Sequence, residues 1–519
     1  MNENSRSPST SISSVGNAAE TAIQKLHDRS AVFGSKTSFT MENSISTDHE
    51  VDHLVPERIN AISYNHKRLQ PFPDDSGLES NTLKDYASYS DSNRTTNTQT
   101  MMHLLKGNIG TGILAIPSSF ANAGMVLGAI GIPIMGIICV HCMHVIVNCS
   151  KVVSKRIGTR SLDYAGVAEY SLKTGPRRLR KLSGIARKLV NMMLLLTQFG
   201  FCCVYFIFVS DSLRQVTVNL AGHDVLGSYG YLFILLPVMI LYNFIKSLKH
   251  LAWSSTIANV LQLFGLCSIF YNIVQKLPPT SSRPAFAPLS KLPLFFGTAI
   301  YSFEGIGVVL PLENDMKTPE DFGGWTGVLN TGMVLVACLY TAIGFYGYLK
   351  FGPQVDGNIA NSLEHTPFNE VVRLLFAIAI FLSYALQMYV PLQIIWPWLK
   401  EKANLERRYS PKTVNIIEYC FRAFLVICTF SLAAAVNDLK YFISLVGAVA
   451  SSSLALIFPA SLELITYWST DITKRKYTIM VFKDVFIILF GVAGFLTGTY
   501  ASVDGIINCV ILKHNCESD

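Results

Sequence analysis

The segment 101–124, MMHLLKGNIGTGILAIPSSFANAG, is apolar enough to enter a membrane, yet it weakens a helix in its own middle. Gly110 and Gly112 flank Thr111 there, and their missing Cβ atoms lower helix stability and free the backbone to unwind. In a bilayer, unwound backbone is tolerated only where it is buried in protein or lines a cavity. A broken helix of this kind therefore predicts a binding site near the middle of the membrane.

The rest of the chain predicts a polytopic membrane protein. Of its 519 residues 50% are hydrophobic and only 15% are charged, whereas a soluble protein carries roughly a quarter charged residues. The charge distribution does not indicate nucleic-acid binding, and no nucleophile–base arrangement or nucleotide loop indicates an enzyme. Runs of about 20 apolar residues, long enough to span a bilayer, lie near 99–121, 124–148, 188–213, 229–245, 250–274, 292–312, 326–349, 369–398, 412–434, 440–466 and 479–502.

The loops predict the orientation and the domains. Basic residues concentrate in the even-to-odd connections, above all in the loop 151–188, which the positive-inside rule places in the cytosol. Residues 1–97 are polar and are expected to form a disordered cytosolic tail. Residues 98–502 form the transmembrane domain, and 503–519 form an extracellular or lumenal tail. In that tail Cys509 and Cys516 either pair or stay free, and the sequence does not decide between the two.

The remaining cysteines do not indicate a metal site. Cys139 and Cys142, with His141 and His144 beside them, have the spacing of metal ligands. They lie inside an apolar run, however, where cysteine usually packs as a small hydrophobe. We expect neither a metal nor an organic cofactor.

The sixth span, LFFGTAIYSFEGIGVVLPLEN, repeats the disruption of the first. Glu304 lies in mid-run, Gly305 and Gly307 follow it, and Pro311 lies beyond. The two spans are five apart, so they cross the membrane in opposite directions. This pattern predicts inverted repeats of spans one to five and six to ten, each opening with a broken helix, plus an added eleventh span.

The predicted half-helix ends suit a zwitterion. Free N–H groups near Thr111, Gly112 and Ile113 carry partial positive charge and favour a carboxylate. Carbonyl groups near Ser302 and Phe303 carry partial negative charge and favour an ammonium group. An α-amino acid presents both groups, so these five residues are candidate substrate ligands. Gly110 is a sixth, because a glycine there lets a carboxylate approach the backbone closely.

Long motifs resemble the animal proton-assisted amino acid transporters, a branch of the amino acid/auxin permease family. They are HLLKGNIGTGILAIP, NAGMVLG, VHCMHVIVNCS, LTQFGFCCVYFIF, the sixth span itself, YVPLQII and SLVGAVASSSLALIFPA. The resemblance covers roughly 98–502. It implies an all-α LeuT-like fold of about 11 transmembrane helices and co-transport of protons with small neutral amino acids such as glycine, alanine and proline. The loop 216–228 is short and lacks cysteine, so an extracellular disulfide of some relatives is not carried over.

His103 and Glu304 are the candidate proton-coupling residues. The pKa that histidine ordinarily has suits a proton site, and the family motif implies this role for His103; the alternative is a packed or interfacial histidine. A carboxylic acid at membrane depth is costly and usually functional. Glu304 could carry the proton, pair with the substrate ammonium, or accept backbone N–H groups at the break.

Several other side chains have weaker predictions. Tyr205, Phe303 and Tyr384 are candidates for pocket walls or gates, against the alternative of plain packing. The basic loop 151–188 could bind anionic lipid or only fix the topology. Charges near span ends, Glu463 among them, carry no predicted role.

The leading interpretation is a secondary active transporter in the plasma membrane or an endolysosomal membrane. The alternatives are an amino-acid-sensing receptor that signals through the tail, by partners the sequence does not identify, and an uncoupled facilitator with the same pocket. An ion channel is disfavoured because no ring of acids or filter-like repeat is present.

Overall fold

The computed structural model describes residues 94–159, 161–246, 248–436, 438–468 and 473–510. These residues belong to one compact unit of the chain, Ser80–Asp519. The predicted tail 1–97 therefore falls almost wholly outside the described residues, as do Cys516 and the side chain of Cys509.

The described chain is built from α-helices. They are α1 Asn97–Asn108, α2 Thr111–Ala123, α3 Met125–Ile157, α4 Tyr164–Thr174, α5 Ser183–Ala221, α6 Gly227–Asn243, α7 Leu248–Ile273, α8 Leu292–Ser302, α9 Ile306–Asn314, α10 Val328–Phe351, α11 Pro367–Lys402, α12 Leu405–Arg408, α13 Pro411–Val436, α14 Leu439–Val446, α15 Phe458–Thr466 and α16 Lys474–Val510. Two π-helical turns, Gly447–Ser451 and Ser453–Ile457, join α14 to α15.

Within the described residues, nine helical segments are long and apolar enough to cross a membrane, with α8 and α9 counted as one and α14 to α15 as another. The shorter apolar helix α6 and the interrupted pair α1–α2 add two more, so the eleven predicted spans are present. The fourth is short, as predicted. The last helix runs on to Val510, past the predicted boundary at 502.

The first span breaks where its glycines predict. Thr96 begins α1 with a capping box, in which its side chain accepts from the Gln99 N–H at 3.4 Å and its own N–H donates to the Gln99 side chain at 3.0 Å. After the break, Gly110 is the N-cap of α2. The helix ends at Gly124, where φ is +89° and an added Cβ would lie 2.7 Å from the Ala285 carbonyl oxygen. Only glycine fits that turn.

The sixth span breaks between α8 and α9, and the two broken helices run side by side in opposite directions. At one end the Thr95 N–H donates to the Asp315 carbonyl at 2.8 Å. At the other end the Ala287 N–H donates to the Ala123 carbonyl, also at 2.8 Å. The prediction of oppositely directed broken helices is therefore confirmed. We call the end that carries Thr95 the N-terminal face; the basic loops predict that it is cytosolic.

The remaining helices hold the breaks in place. Helices α5 and α11, the third spans of the two halves, pack extensively on each other, and α10 packs on α2 and α3. The large buried core is continuous through these helices. The breaks therefore lie inside protein rather than against lipid, as unwound backbone in a membrane requires.

Candidate functional site

A small cavity lies where the two breaks meet. Its volume is about 20 Å³, which leaves room for about one water molecule. Its lining residues are Gly107, Asn108, Gly110, Thr111, Gly112, Phe201, Tyr205, Tyr301, Ser302, Glu304 and Gln387. They come from both broken helices and from α5 and α11.

One tyrosine joins the ends of both half-helices. The Tyr340 hydroxyl of α10, fully buried, lies 2.5 Å from the Asn108 carbonyl oxygen and 2.7 Å from the Ser302 carbonyl oxygen. These carbonyls are the last ones of α1 and α8, and they have no partner within their own helices. A hydroxyl has one proton to donate, so the two carbonyls share it, and the Asn108 carbonyl also accepts from the Gly110 N–H at 3.0 Å.

The half-helices α2 and α8 are also hydrogen-bonded directly to each other. The Thr111 and Tyr301 hydroxyls are 2.9 Å apart. The Ser302 hydroxyl donates to the Thr298 carbonyl at 2.8 Å and lies 3.2 Å from the Gly112 carbonyl oxygen. A Cβ on Gly112 would come within 2.8 Å of the Ser302 Cα. Glycine at 112 therefore sets how closely α2 approaches α8.

The N-terminus of α2 opens onto the cavity without a side-chain cap. Its N-cap, Gly110, has no side chain to accept from the first N–H groups of the helix. An added Cβ at Gly110 would meet only the Tyr205 hydroxyl, at 3.8 Å. Backbone N–H groups at a helix N-terminus bind anions, so this end of the cavity suits a carboxylate chemically.

Glu304 is the acidic residue of the cavity lining. Its side chain is buried, and its Oε2 has no hydrogen-bond partner among the described residues. Cys139 and Tyr164 face it from α3 and α4. A buried carboxylate with one unpartnered oxygen is costly in its charged form. The position therefore suits a group that gains and loses a proton.

His103 does not line the cavity. It lies on an exposed face of α1, closer to the N-terminal face, with Lys106 and Asp315 as electrostatic neighbours. Burial raises the pKa of the Asp315 carboxyl, whereas the charges of Arg94 and His103 act to lower it. The structure thus separates the two candidate proton residues.

Three of the candidate substrate residues also point away from the cavity. The Phe303 ring is fully buried against Tyr340, at 5.0 Å between ring centroids, and against the backbone of α3 at Gly136. The Tyr384 hydroxyl is 2.9 Å from the Thr429 hydroxyl. Ile113 is buried but is not part of the lining. By contrast, Gly110, Thr111, Gly112, Tyr205 and Ser302 all line the cavity.

Sequence reasoning missed five lining residues and Tyr340. Gln387 donates to the Tyr205 hydroxyl at 3.2 Å, and a polar residue in the middle of span eight was a usable signal. Tyr301 and Asn108 adjoin the breaks and could have been included by position, as could Gly107. Nothing in the sequence distinguishes Phe201 or Tyr340 from the other aromatic residues of apolar helices.

The comparison with known families decides the class. Residues 93–504 match the family described as transmembrane amino acid transporter protein. The chain belongs to this family. It is therefore an integral, multi-pass amino acid transporter rather than an enzyme.

Curated relatives share most of the chain. The Drosophila melanogaster protein named proton-coupled amino acid transporter-like protein pathetic is 35% identical over 86% of this chain and 93% of its own length. The Caenorhabditis elegans protein named probable amino acid transporter skat-1 is 26% identical over 79% of this chain and 90% of its own. Among solved structures, Mhp1, a nucleobase-cation-symport-1 family transporter, matches 81% of this chain and 95% of its own, with 14% identity and a TM-score of 0.45.

Proposed function

We propose that this amino acid transporter carries small neutral amino acids, such as glycine, alanine and proline, together with protons. The single observation that carries the proposal is the cavity between the two breaks. It joins an uncapped helix N-terminus, the carbonyl end of another helix and one buried carboxylic acid.

The substrate would bind through its α-carboxylate and α-ammonium groups. Its carboxylate would accept hydrogen bonds from the first N–H groups of α2, beside Gly110. Its ammonium would donate to the carbonyls at the end of α8, where Ser302 shares the Tyr340 proton with Asn108. Phe201 and Tyr301 would enclose the side chain.

Glu304 would couple the proton to the substrate. It lines the same cavity as the substrate ligands, so its charge affects substrate binding there. A protonated Glu304 is neutral, so the zwitterion would enter a site that carries no uncompensated buried charge. When the proton leaves, the buried carboxylate must be compensated or exposed to water, which links proton release to a change of conformation.

Two further observations support the proposal. The Drosophila relative is named as a proton-coupled amino acid transporter-like protein. The basic loops lie at the N-terminal face, as a cytosolic N-terminus requires. Protons would be the only coupling ion, and no cofactor is needed.

Uptake measurements test the proposal. Cells expressing the chain would take up labelled glycine, alanine and proline faster at an acidic outside pH than at neutral pH, and the cytosol would acidify during uptake. Uptake that is independent of the pH gradient and produces no acidification would make the protein a facilitator or exchanger. No uptake of these amino acids would overturn the proposed substrate class.

A further inference from the structure

A buried ion cluster lies outside the cavity, between α15 and the added helix α16. Lys483 Nζ is 2.6 Å from Glu463 Oε2 and 3.1 Å from Asp484 Oδ1. The Asp484 side chain is fully buried, whereas the Glu463 side chain is 15% exposed and that of Lys483 30%. Two carboxylates therefore share one ammonium group in a largely dry site.

The charges of this cluster do not balance. Asp484 contacts the Lys483 ammonium at 3.1 Å and the Glu463 carboxylate, but neither of its oxygens has a hydrogen bond of good geometry among the described residues. One lysine can neutralise only one of the two acids, and a buried uncompensated carboxylate is strongly unfavourable. With both acids ionised, these three side chains are therefore one positive charge short of neutral.

A proton fits this site better than a metal ion. The Lys483 ammonium already occupies the space beside both carboxylates, and it would repel a metal cation there. Among the described residues, no group of three or more His, Cys, Asp and Glu side chains is placed to hold a metal. Two carboxylates held close together readily share one proton.

A second ion cluster at the N-terminal face shows the opposite balance. Glu418 lies 2.8 Å from Lys246 Nζ and 3.0 Å from the Arg422 guanidinium. This acid has two cations and needs no proton. It serves as the matched control, because it also joins helices by ion pairs but lacks the surplus carboxylate.

The Glu463 cluster lies on the side of Glu304 toward the N-terminal face. On α3, Cys139 faces Glu304, and Cys142, one turn closer to that face, faces the cluster. Three residues of helix span about 4.5 Å. Closer to the N-terminal face than the cluster, Arg156 donates at 2.8 Å to the carbonyl of Thr466, the last residue of α15. The other titratable groups facing the cluster from α3 are His141, whose Nε2 has no hydrogen-bond partner among the described residues, and Cys149.

We propose that Glu463, Lys483 and Asp484 form a second proton-binding site, which receives the proton released by Glu304 and passes it to the cytosol. The Glu304 carboxylic acid becomes a carboxylate, the surplus carboxylate of the cluster becomes a carboxylic acid, and the same proton then leaves to water. This step rests on the proposed proton coupling. In this proposal the added helix α16, which lies outside the inverted repeats, takes part in proton transfer.

The test uses the full chain in proteoliposomes, with labelled alanine as the probe. Two readouts separate the steps: exchange of alanine at equal pH on both sides, and acidification of the lumen during net uptake. Asp484→Asn is expected to keep exchange and to slow acidification at least about tenfold, with a flattened dependence on the pH of the cytosolic side. Glu463→Gln is expected to behave alike and serves if Asp484→Asn fails to fold. Glu418→Gln is the control.

Three outcomes would overturn the second site. If both cluster variants acidify the lumen at the wild-type rate per alanine, the cluster only fastens α15 to α16. If Glu418→Gln slows acidification as much as they do, the effect comes from lost ion pairing. If the wild type itself takes up alanine without acidifying the lumen, the proposed coupling fails first, and this site fails with it.

Discussion

The two breaks occupy equivalent places in oppositely directed helices, yet they differ in chemistry. The first, at Gly110, has no ionisable side chain in the unwound stretch and presents uncapped N–H groups. The second, Phe303–Gly305, contains the buried acid Glu304 and presents the carbonyl end of α8. The first break can bind only through backbone groups and shape, whereas the second can also change its charge.

This difference assigns separate tasks to the breaks. Changes at the first should alter substrate binding without altering the number of protons per substrate. Changes at Glu304 should alter that number and spare exchange. Tyr340 belongs to both, because its hydroxyl contacts the last carbonyl of α1 and that of α8.

The largest effect is expected at the closest approach of the two breaks. Gly112→Val would place a branched side chain where a Cβ alone comes within 2.8 Å of the Ser302 Cα. We expect uptake to fall by roughly 100-fold, because small misplacements of binding groups are costly. Gly110→Ala is the control, since its Cβ meets only the Tyr205 hydroxyl at 3.8 Å. Surface labelling and uptake of both variants check this; equal uptake in Gly112→Val and Gly110→Ala would contradict it.

A smaller effect is expected where one donor serves both breaks. Tyr340→Phe leaves the buried Ser302 carbonyl without its donor, whereas the Asn108 carbonyl keeps the Gly110 N–H. The cost of about 1–3 kcal/mol corresponds to roughly 5- to 150-fold slower uptake. Tyr384→Phe loses a comparable contact with Thr429 outside the cavity. It should lower thermal stability but leave the apparent KM unchanged. Indistinguishable KM values for the two variants would make Tyr340 an ordinary packing residue.

The breaks themselves were predictable from the sequence, because glycine pairs and an intramembrane acid have intrinsic costs that do not depend on neighbours. The direction of Phe303 was not. In the unwound stretch no helical period fixes where a side chain points, and this ring turned toward Tyr340 and α3. The role of Tyr340 could not be predicted either, because only the tertiary structure brings α10 to both breaks.

A graded change in substrate selectivity is expected when Phe201 is replaced, but not when Phe303 is replaced. Phe201 lines the cavity and Phe303 does not. Phe201→Ala should therefore admit larger side chains, with a shift of about 1–3 kcal/mol per methylene accommodated. Phe303→Ala should instead cost about 3–5 kcal/mol of stability and keep the substrate profile. Competition of leucine against labelled alanine measures the profile, and a broadened profile in Phe303→Ala would place the pocket on the other side of the break.

The central claim is that Glu304, and not the first break, carries the coupling proton at the cavity. The most direct measurement records lumen acidification and counterflow exchange in the same proteoliposomes, for the wild type, Glu304→Gln and His103→Ala. We predict that Glu304→Gln keeps exchange, because the amide preserves the shape of the acid, and that it no longer acidifies the lumen. The family resemblance implies that His103→Ala also loses acidification, although its side chain lies outside the cavity. Wild-type acidification per transported amino acid in Glu304→Gln would contradict the account.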